Sequence, residues 1–373
     1  MVGLYIHIPF CISKCKYCDF YRIAPFHLSE VDRFLLAFKE ELKTLPAGFA
    51  PTTVFVGGGT PTSLSEKSLK ELLQILSESI NFSNCIEFSC EANPGTLTPE
   101  KCALLQEAGI NRISMGVQSF NNKSLKMLGR IHTRKDAEIA FDQLRSAGFK
   151  NINIDLLQSL PGTSLEETLK DCRAALELNP EHLSSYNLIY EPNTPLTRQR
   201  DAGNIQEIDE DDEADRYFAV KDLFEKAGYE QYEISNFCKP SFQSLHNELY
   251  WKGDEYMGCG PSAHSHWGGR RFGNVENLEQ YCLRLESKKS PRDFSETLPP
   301  EKKAREVLVM QLRMLEGVNL KSFEQQTGYS IKNLYGTTLN ELKEMGLILQ
   351  NTETIRLAPN ALFISNTVFS ALV

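Results

Sequence analysis

Up to about residue 235, short apolar runs alternate with longer amphipathic stretches. Residues 4–8, 53–56, 86–90, 112–117, 152–157, 183–188 and 231–234 are rich in apolar and β-branched side chains and read as strands. Between them, residues 31–42, 69–77, 99–107, 136–147 and 165–178 carry apolar positions three and four apart and read as helices. Strand followed by helix, repeated, predicts crossover units and a mainly parallel sheet. The junctions Ala108-Gly109-Ile110, Ala147-Gly148-Phe149 and Ala227-Gly228-Tyr229 repeat one device. A glycine just past a helix can turn left-handed, cap the helix and re-aim the chain into the next strand. An open doubly wound sheet and a complete or partial barrel both satisfy this pattern.

The acidic stretch 207–215 reads as a solvated helix start, because carboxylates favour a helix N-terminus. From about residue 295 the pattern changes. Residues 303–315, 320–327 and 331–345 read as helices, and residues 347–350 and 355–358 as a hairpin around 351–354. Three helices and a hairpin resemble a small winged-helix module. The expected organisation is therefore a barrel-like α/β unit over 1–235, an extension over 236–295 and a helical, winged-helix-like unit over 296–373.

Composition narrows the classes. The 373 residues include 40 basic and 49 acidic side chains, a net charge of −9, so no global nucleic-acid footprint is present and an interaction or structural role is expected for the last unit. No run approaches the length of a membrane-spanning helix, and residues 1–9 lack a basic region and a cleavage site, so a cytoplasmic protein is expected. Seven of the ten cysteines are scattered and read as reduced, buried thiols.

The other three form Cys11-Ile-Ser-Lys-Cys15-Lys-Tyr-Cys18, directly after the first predicted strand. Three thiolates on one short loop can hold a [4Fe–4S] cluster with one iron left open for a chelating ligand. A zinc site completed by His7 is the alternative, since structural zinc wants four ligands. Gly57-Gly58-Gly59-Thr60-Pro61 follows the second strand, where glycines let backbone groups approach a ligand. Glu91, Gln118 and Asp155 fall at or near the ends of three successive strands, the layout of a barrel-top site, and Arg130 can meet a carboxylate.

The cysteine run and the glycine turn, in this order, resemble the signatures of radical S-adenosylmethionine (SAM) proteins. That resemblance implies a partial parallel (β/α)6 barrel. It implies a [4Fe–4S] cluster on Cys11, Cys15 and Cys18 whose open iron chelates the amino and carboxylate groups of SAM, cleaved on reduction to methionine and a 5′-deoxyadenosyl radical. Nearly the whole chain is similar to the coproporphyrinogen-dehydrogenase-like branch, through residues 5–11, Gly116-Val117-Gln118-Ser119-Phe120, Asn153-Ile154-Asp155 and Leu160-Pro161-Gly162. By position, the SAM contacts would fall on Tyr5, Tyr17, Gly58, Gly59, Thr60, Glu91, Gln118, Arg130 and Asp155, and Gln118, Arg130 and Asp155 match contacts to a second SAM in the dehydrogenase.

Within that branch the chain looks like the haem chaperones. The dehydrogenases carry an extra cysteine where this chain has Phe20, and an extension ahead of the first strand, which here starts almost at Met1. His246-Asn247-Glu248-Leu249-Tyr250-Trp251 matches the HNxxYW motif of the chaperones and makes His246 the candidate haem contact, with Tyr250 and Trp251 as flat apolar surface. His264 is placed near the site without a role. Ser262 and Ser159 stand where the branch usually has glycine. The resemblance implies haem as cargo, haem-accepting respiratory proteins such as cytochromes as partners, a cluster tied to regulation or homodimer formation, and peripheral membrane contact during delivery. No nucleic-acid partner is expected. Oxygen-independent coproporphyrinogen III oxidation and another radical SAM reaction remain the alternatives.

Overall fold

The computed structural model describes residues 1–373. Six strands, β1 (Val2–Ile8), β2 (Thr53–Gly58), β3 (Glu87–Ala92), β4 (Arg112–Gln118), β5 (Ile152–Gln158) and β6 (His182–Asn187), lie side by side in chain order, each parallel to the next. Helices α1 (Leu28–Leu42), α2 (Glu66–Ser79), α3 (Pro99–Glu107), α4 (Asn122–Leu128), α5 (Arg134–Ser146) and α6 (Leu165–Glu177) make the crossovers. The three repeated glycines adopt φ of +84°, +98° and +87°, as a left-handed helix end requires. Asp209 caps the helix after α7 (Pro195–Asp201), namely α8 (Glu210–Lys226), so the acidic stretch does start a helix.

Alternation along the strands decides what the sheet encloses. Leu4, Ile6, Ile8, Val54, Ile113, Met115, Ile152 and Ile154 point outward and are buried in one core with helix residues such as Phe34, Phe38, Leu72 and Phe141. The opposite face carries Ser89, Glu91, Arg112, Ser114, Asn153, Asp155 and Ser184, so the concave side is polar and holds a cavity instead of the apolar layers of a closed barrel.

The seventh predicted strand departs from the parallel scheme. β7 (Glu230–Glu233) and β8 (Asn236–Cys238) form a hairpin, with β8 antiparallel to β6, because a two-residue link cannot make a parallel crossover. The expected boundary at 235/236 therefore falls inside a hairpin, and the barrel sheet runs on to Cys238. After α9 (Leu245–Lys252), β9 (Glu255–Cys259) joins the free edge of β1 in parallel, and β10 (His264–Trp267), β11 (Arg270–Asn274) and, after α10 (Leu278–Glu286), β12 (Arg292–Glu296) continue the sheet antiparallel. These four strands were not legible in the sequence pattern. β7 and β12 are the two edges, so the barrel is partial.

Glu41 of α1 ties this extension down. It is buried and accepts hydrogen bonds from Gly260 N, Asn274 Nδ2 and the Tyr281 hydroxyl. Burial pushes its carboxyl up to about 7. With the unfolded carboxyl near 4.5, the folded state binds more protons between these values, so this group's contribution to stability falls as pH rises from 4.5 to 7. Glu41→Gln removes that slope. We expect its unfolding free energy, measured by urea titration at pH 5 and pH 8, to gain on the wild type at the higher pH; a pH-independent difference would contradict the assignment.

The last unit has its own core. It contains α11 (Pro300–Gln311), β13 (Val318–Asn319), α12 (Leu320–Thr327), α13 (Ile331–Glu344), β14 (Ile348–Gln350), β15 (Thr354–Leu357) and α14 (Ser365–Ala371), with the three strands in the order β13-β15-β14. It docks on the barrel through Arg313 Nη2, which donates to the fully buried Glu233 Oε2 at 3.1 Å, and through Leu315 N, which donates to Tyr232 O at 3.0 Å. No helix in the structure is long and apolar enough to cross a membrane.

Candidate functional site

The cysteine loop leaves β1 over the C-terminal ends of the parallel strands and is fixed by backbone bonds on both sides. Cys11 N donates to Ile23 O at 3.0 Å, Lys16 N to Leu128 O at 2.9 Å, and Leu196 N to Lys16 O at 2.9 Å. All ten cysteines are free thiols, and Cys11, Cys15 and Cys18 line one cavity of about 420 Å³ on the concave side of the sheet. Cys11 Sγ lies 3.5 Å from Thr60 Oγ1, Arg130 Nη1 donates to Cys15 Sγ at 3.4 Å, and Arg22 donates to the carbonyls of Cys15 and Cys18. Burial raises the Cys11 thiol above its ordinary value and the Cys18 thiol to about 11.

This donor set fits a [4Fe–4S] cluster with an open iron: three thiols on one loop, beside two guanidinium groups that offset thiolate charge. It does not fit the zinc alternative. No three His, Cys, Asp or Glu side chains converge on a single-ion site. His7 is buried and is not part of the cavity wall; its Nε2 lies 2.9 Å from Tyr21 O and its Nδ1 3.1 Å from the Tyr5 hydroxyl.

The glycine turn is locked against the same loop. Gly59 N donates to Ile8 O and Thr60 N to Phe10 O, both at 2.8 Å. A Cβ on Gly59 would lie 2.8 Å from both carbonyl oxygens, and one on Gly58, at φ +103°, would lie 2.5 Å from His7 Nδ1. Gly58 N donates to Glu91 Oε2 at 3.1 Å. Burial and the Asp155 charge push Glu91 up to about 8. Asp155, also raised by burial, accepts from Asn153 Nδ2 at 2.7 Å and Ser114 Oγ at 3.3 Å. Gln118 sits at a register shift between β4 and β5 with φ +72°, a conformation rare for a side chain larger than glycine and concentrated at functional sites.

Of the nine residues expected around SAM, the structure brings eight into the cavity wall: Tyr17, Gly58, Gly59, Thr60, Glu91, Gln118, Arg130 and Asp155. Tyr5 is not among them. It stacks on Phe55, which does line the cavity, and its hydroxyl is engaged by His7. Arg130 is partly committed, its Nη2 donating to Gly116 O.

His246, the candidate haem contact, packs inside the barrel. It is 1% exposed in the barrel floor, stacked on Phe55, with Nδ1 2.8 Å from Thr53 Oγ1 and Nε2 2.8 Å from the Tyr250 hydroxyl. Both ring nitrogens are thus hydrogen-bonded within the barrel. The rest of α9 faces both the cavity and the last unit. Asn247 lines the cavity, Trp251 is covered by the Arg313 guanidinium at 4.3 Å, and Lys252 O accepts from Gln326 Nε2 at 3.0 Å. His264 is exposed and packs against Phe294, not in the cavity. Ser159 and Ser262 take φ of +57° and +65°, so the serines that replace glycine bear a backbone cost of about 1 kcal/mol each, which spacing alone does not reveal.

Sequence reasoning missed the deeper wall: Arg112, Ser114, Asn153, Ser184 and Asn247. The signal was the polar phase of the alternation in β4, where Arg112, Ser114, Gly116 and Gln118 share one face.

A loop that presents three thiols to a cavity inside parallel strands, with a glycine turn beside it, is the arrangement of the radical SAM class. The radical SAM superfamily model matches residues 5–174, and the HemN C-terminal domain model residues 298–364. The chain is 37% identical to the Heme chaperone HemW of Bacillus subtilis over 100% of this chain and 99% of that protein. It is 35% identical to HemW of Lactococcus lactis, covering 98% and 95%, and 36% identical to HemW of Escherichia coli, covering 88% and 86%. The chain belongs to the HemW family of the radical SAM superfamily. Its fold is that of the coproporphyrinogen III oxidase HemN of Escherichia coli, with a TM-score of 0.87 at 23% identity over 100% of this chain and 89% of that one.

Proposed function

We propose that this protein is a haem chaperone that binds haem and passes it to haem-accepting proteins such as respiratory cytochromes. Similarity to proteins named Heme chaperone HemW along the entire chain carries this reading. Cys11, Cys15 and Cys18 would hold a [4Fe–4S] cluster, which when bound supplies an open iron for SAM and a one-electron couple. Gly58, Gly59 and Thr60 present backbone groups to the amino end of SAM, while Glu91 and Asp155 can accept its hydroxyl groups. Burial holds both carboxyls above their ordinary range, and Glu91, pushed up to about 8, can also hold a proton at neutral pH. Gln118 and Arg130 close the wall, and Tyr17 packs behind it with Leu128 and Leu160.

Haem would enter past the rim of the cavity, and His246 in the barrel floor is the contact that the family resemblance implies. Ile12, Phe20 and Ile131 line the cavity and are 48%, 66% and 43% exposed, an apolar entrance suited to a porphyrin. The position that is cysteine in the dehydrogenases is here Phe20, the most exposed of the three.

The test is an anaerobic incubation of cluster-reconstituted protein with SAM, a reductant and coproporphyrinogen III, beside a parallel haem titration. A stable haem spectrum with no decarboxylated porphyrin is expected. Stoichiometric conversion to protoporphyrinogen IX, with matching 5′-deoxyadenosine, would instead make the protein an oxygen-independent coproporphyrinogen III oxidase.

A further inference from the structure

Arg112, the first residue of β4, is 1% exposed, yet it lines the cavity. Its Nε has no hydrogen-bond partner, and the guanidinium takes part in none of the protein's ion pairs, unlike Arg313 on Glu233 or Arg145 on Glu181. The carboxylates that feel its charge are committed elsewhere, Glu91 to Gly58 N and Asp155 to Asn153 and Ser114. On the adjacent strand the buried Glu87 is likewise committed, to Ser89 Oγ, Leu245 N and His246 N, and His182 is paired through Nδ1, 2.6 Å from Asn153 Oδ1, and Nε2, 2.8 Å from the Tyr232 hydroxyl. A cation withdrawn from water without a partner is costly, and a fold that retains one inside a cavity is prepared for an anion.

The position says which anion it is not. Arg112 starts β4 while Gln118 ends it, about 20 Å apart along an extended strand, with the cysteine loop at the Gln118 end. A SAM held at the cluster keeps its own carboxylate at the mouth. We propose that Arg112 anchors, at the floor of the barrel, a carboxylate of a second ligand. The inference rests on the reading that this cavity serves SAM and haem, and two sources share the chemistry: a haem propionate, or the methionine carboxylate of another SAM molecule. A guanidinium fork suits either, because it can meet both carboxylate oxygens at once.

Arg112→Met tests it. Without ligands the variant should melt no lower than wild type, since a lone buried charge has been removed. Haem, haem dimethyl ester and SAM are then titrated on cluster-reconstituted protein, with SAM counted by equilibrium dialysis. If a propionate is the occupant, haem affinity falls about tenfold or more, to that of the ester, while the ester and SAM bind as before. If SAM is the occupant, one SAM per chain is lost and haem binding is unchanged. Unchanged binding of both haem and SAM by folded Arg112→Met overturns the proposal. Should that variant not fold, Arg112→Lys, which keeps the charge but loses the fork, is read the same way. A wild-type protein that takes up neither haem nor SAM overturns the functional reading itself, and this inference with it.

Discussion

Replacing Cys11, Cys15 and Cys18 together by alanine is expected to remove the visible iron–sulfur absorbance and all stoichiometric iron and sulfide from anaerobically reconstituted protein, while leaving the fold intact. The loop's shape does not depend on the thiols. Its backbone is held by Ile23, Leu128 and Leu196, and the glycine turn brackets its start at Ile8 and Phe10. Only Cys11 of the three is buried, so the lost packing amounts to about 1 kcal/mol, against the whole cluster on the ligand side. Iron and sulfide analysis together with far-ultraviolet circular dichroism separates the two effects. A full iron and sulfide load in the triple variant would sink the cluster assignment, whereas loss of the circular dichroism signal would show that the thiols hold the loop.

Gly58→Ala is expected to be the most damaging single substitution at the site. Gly58 has φ +103°, and a Cβ there would sit 2.5 Å from Nδ1 and 2.6 Å from Cε1 of the buried His7 ring. That ring cannot swing away without giving up its contacts to Tyr21 O and the Tyr5 hydroxyl. Backbone strain and overpacking together cost about 3 kcal/mol. The strain acts on the turn that faces Cys11, so SAM affinity should fall at least about tenfold as well. Guanidinium unfolding and SAM titration check the two halves. Wild-type stability with wild-type SAM binding would show that the turn neither needs its left-handed glycine nor touches SAM.

Much of this site was legible because its signals are local. The C-x3-C-x2-C spacing confines three thiols to one loop, and a run of three glycines after a strand marks a turn that needs close backbone approach. Glu91 and Gln118 reached the cavity because strand ends in a parallel sheet all open on one side, and Asp155, in the middle of β5, because alternation turns it to the concave face. What the motifs did not show is that Tyr5 and His246 both stack on Phe55 and hydrogen-bond within the barrel, Tyr5 to His7 and His246 to Thr53.

The amino-acid order by itself determined the parallel crossover units, the left-handed helix ends, the thiol loop and the glycine turn, since each depends on neighbours a few residues apart. Only the tertiary structure decided that the sheet stops short of closing, with β9 beside β1 and β8 antiparallel on β6, because strand pairing across about 250 residues in the one case and about 50 in the other leaves no local trace. It also decided which side chains the buried histidines meet and which cation is left alone. His246 finds Thr53, and Arg112 finds no carboxylate, through contacts that exist only once distant strands share one interior.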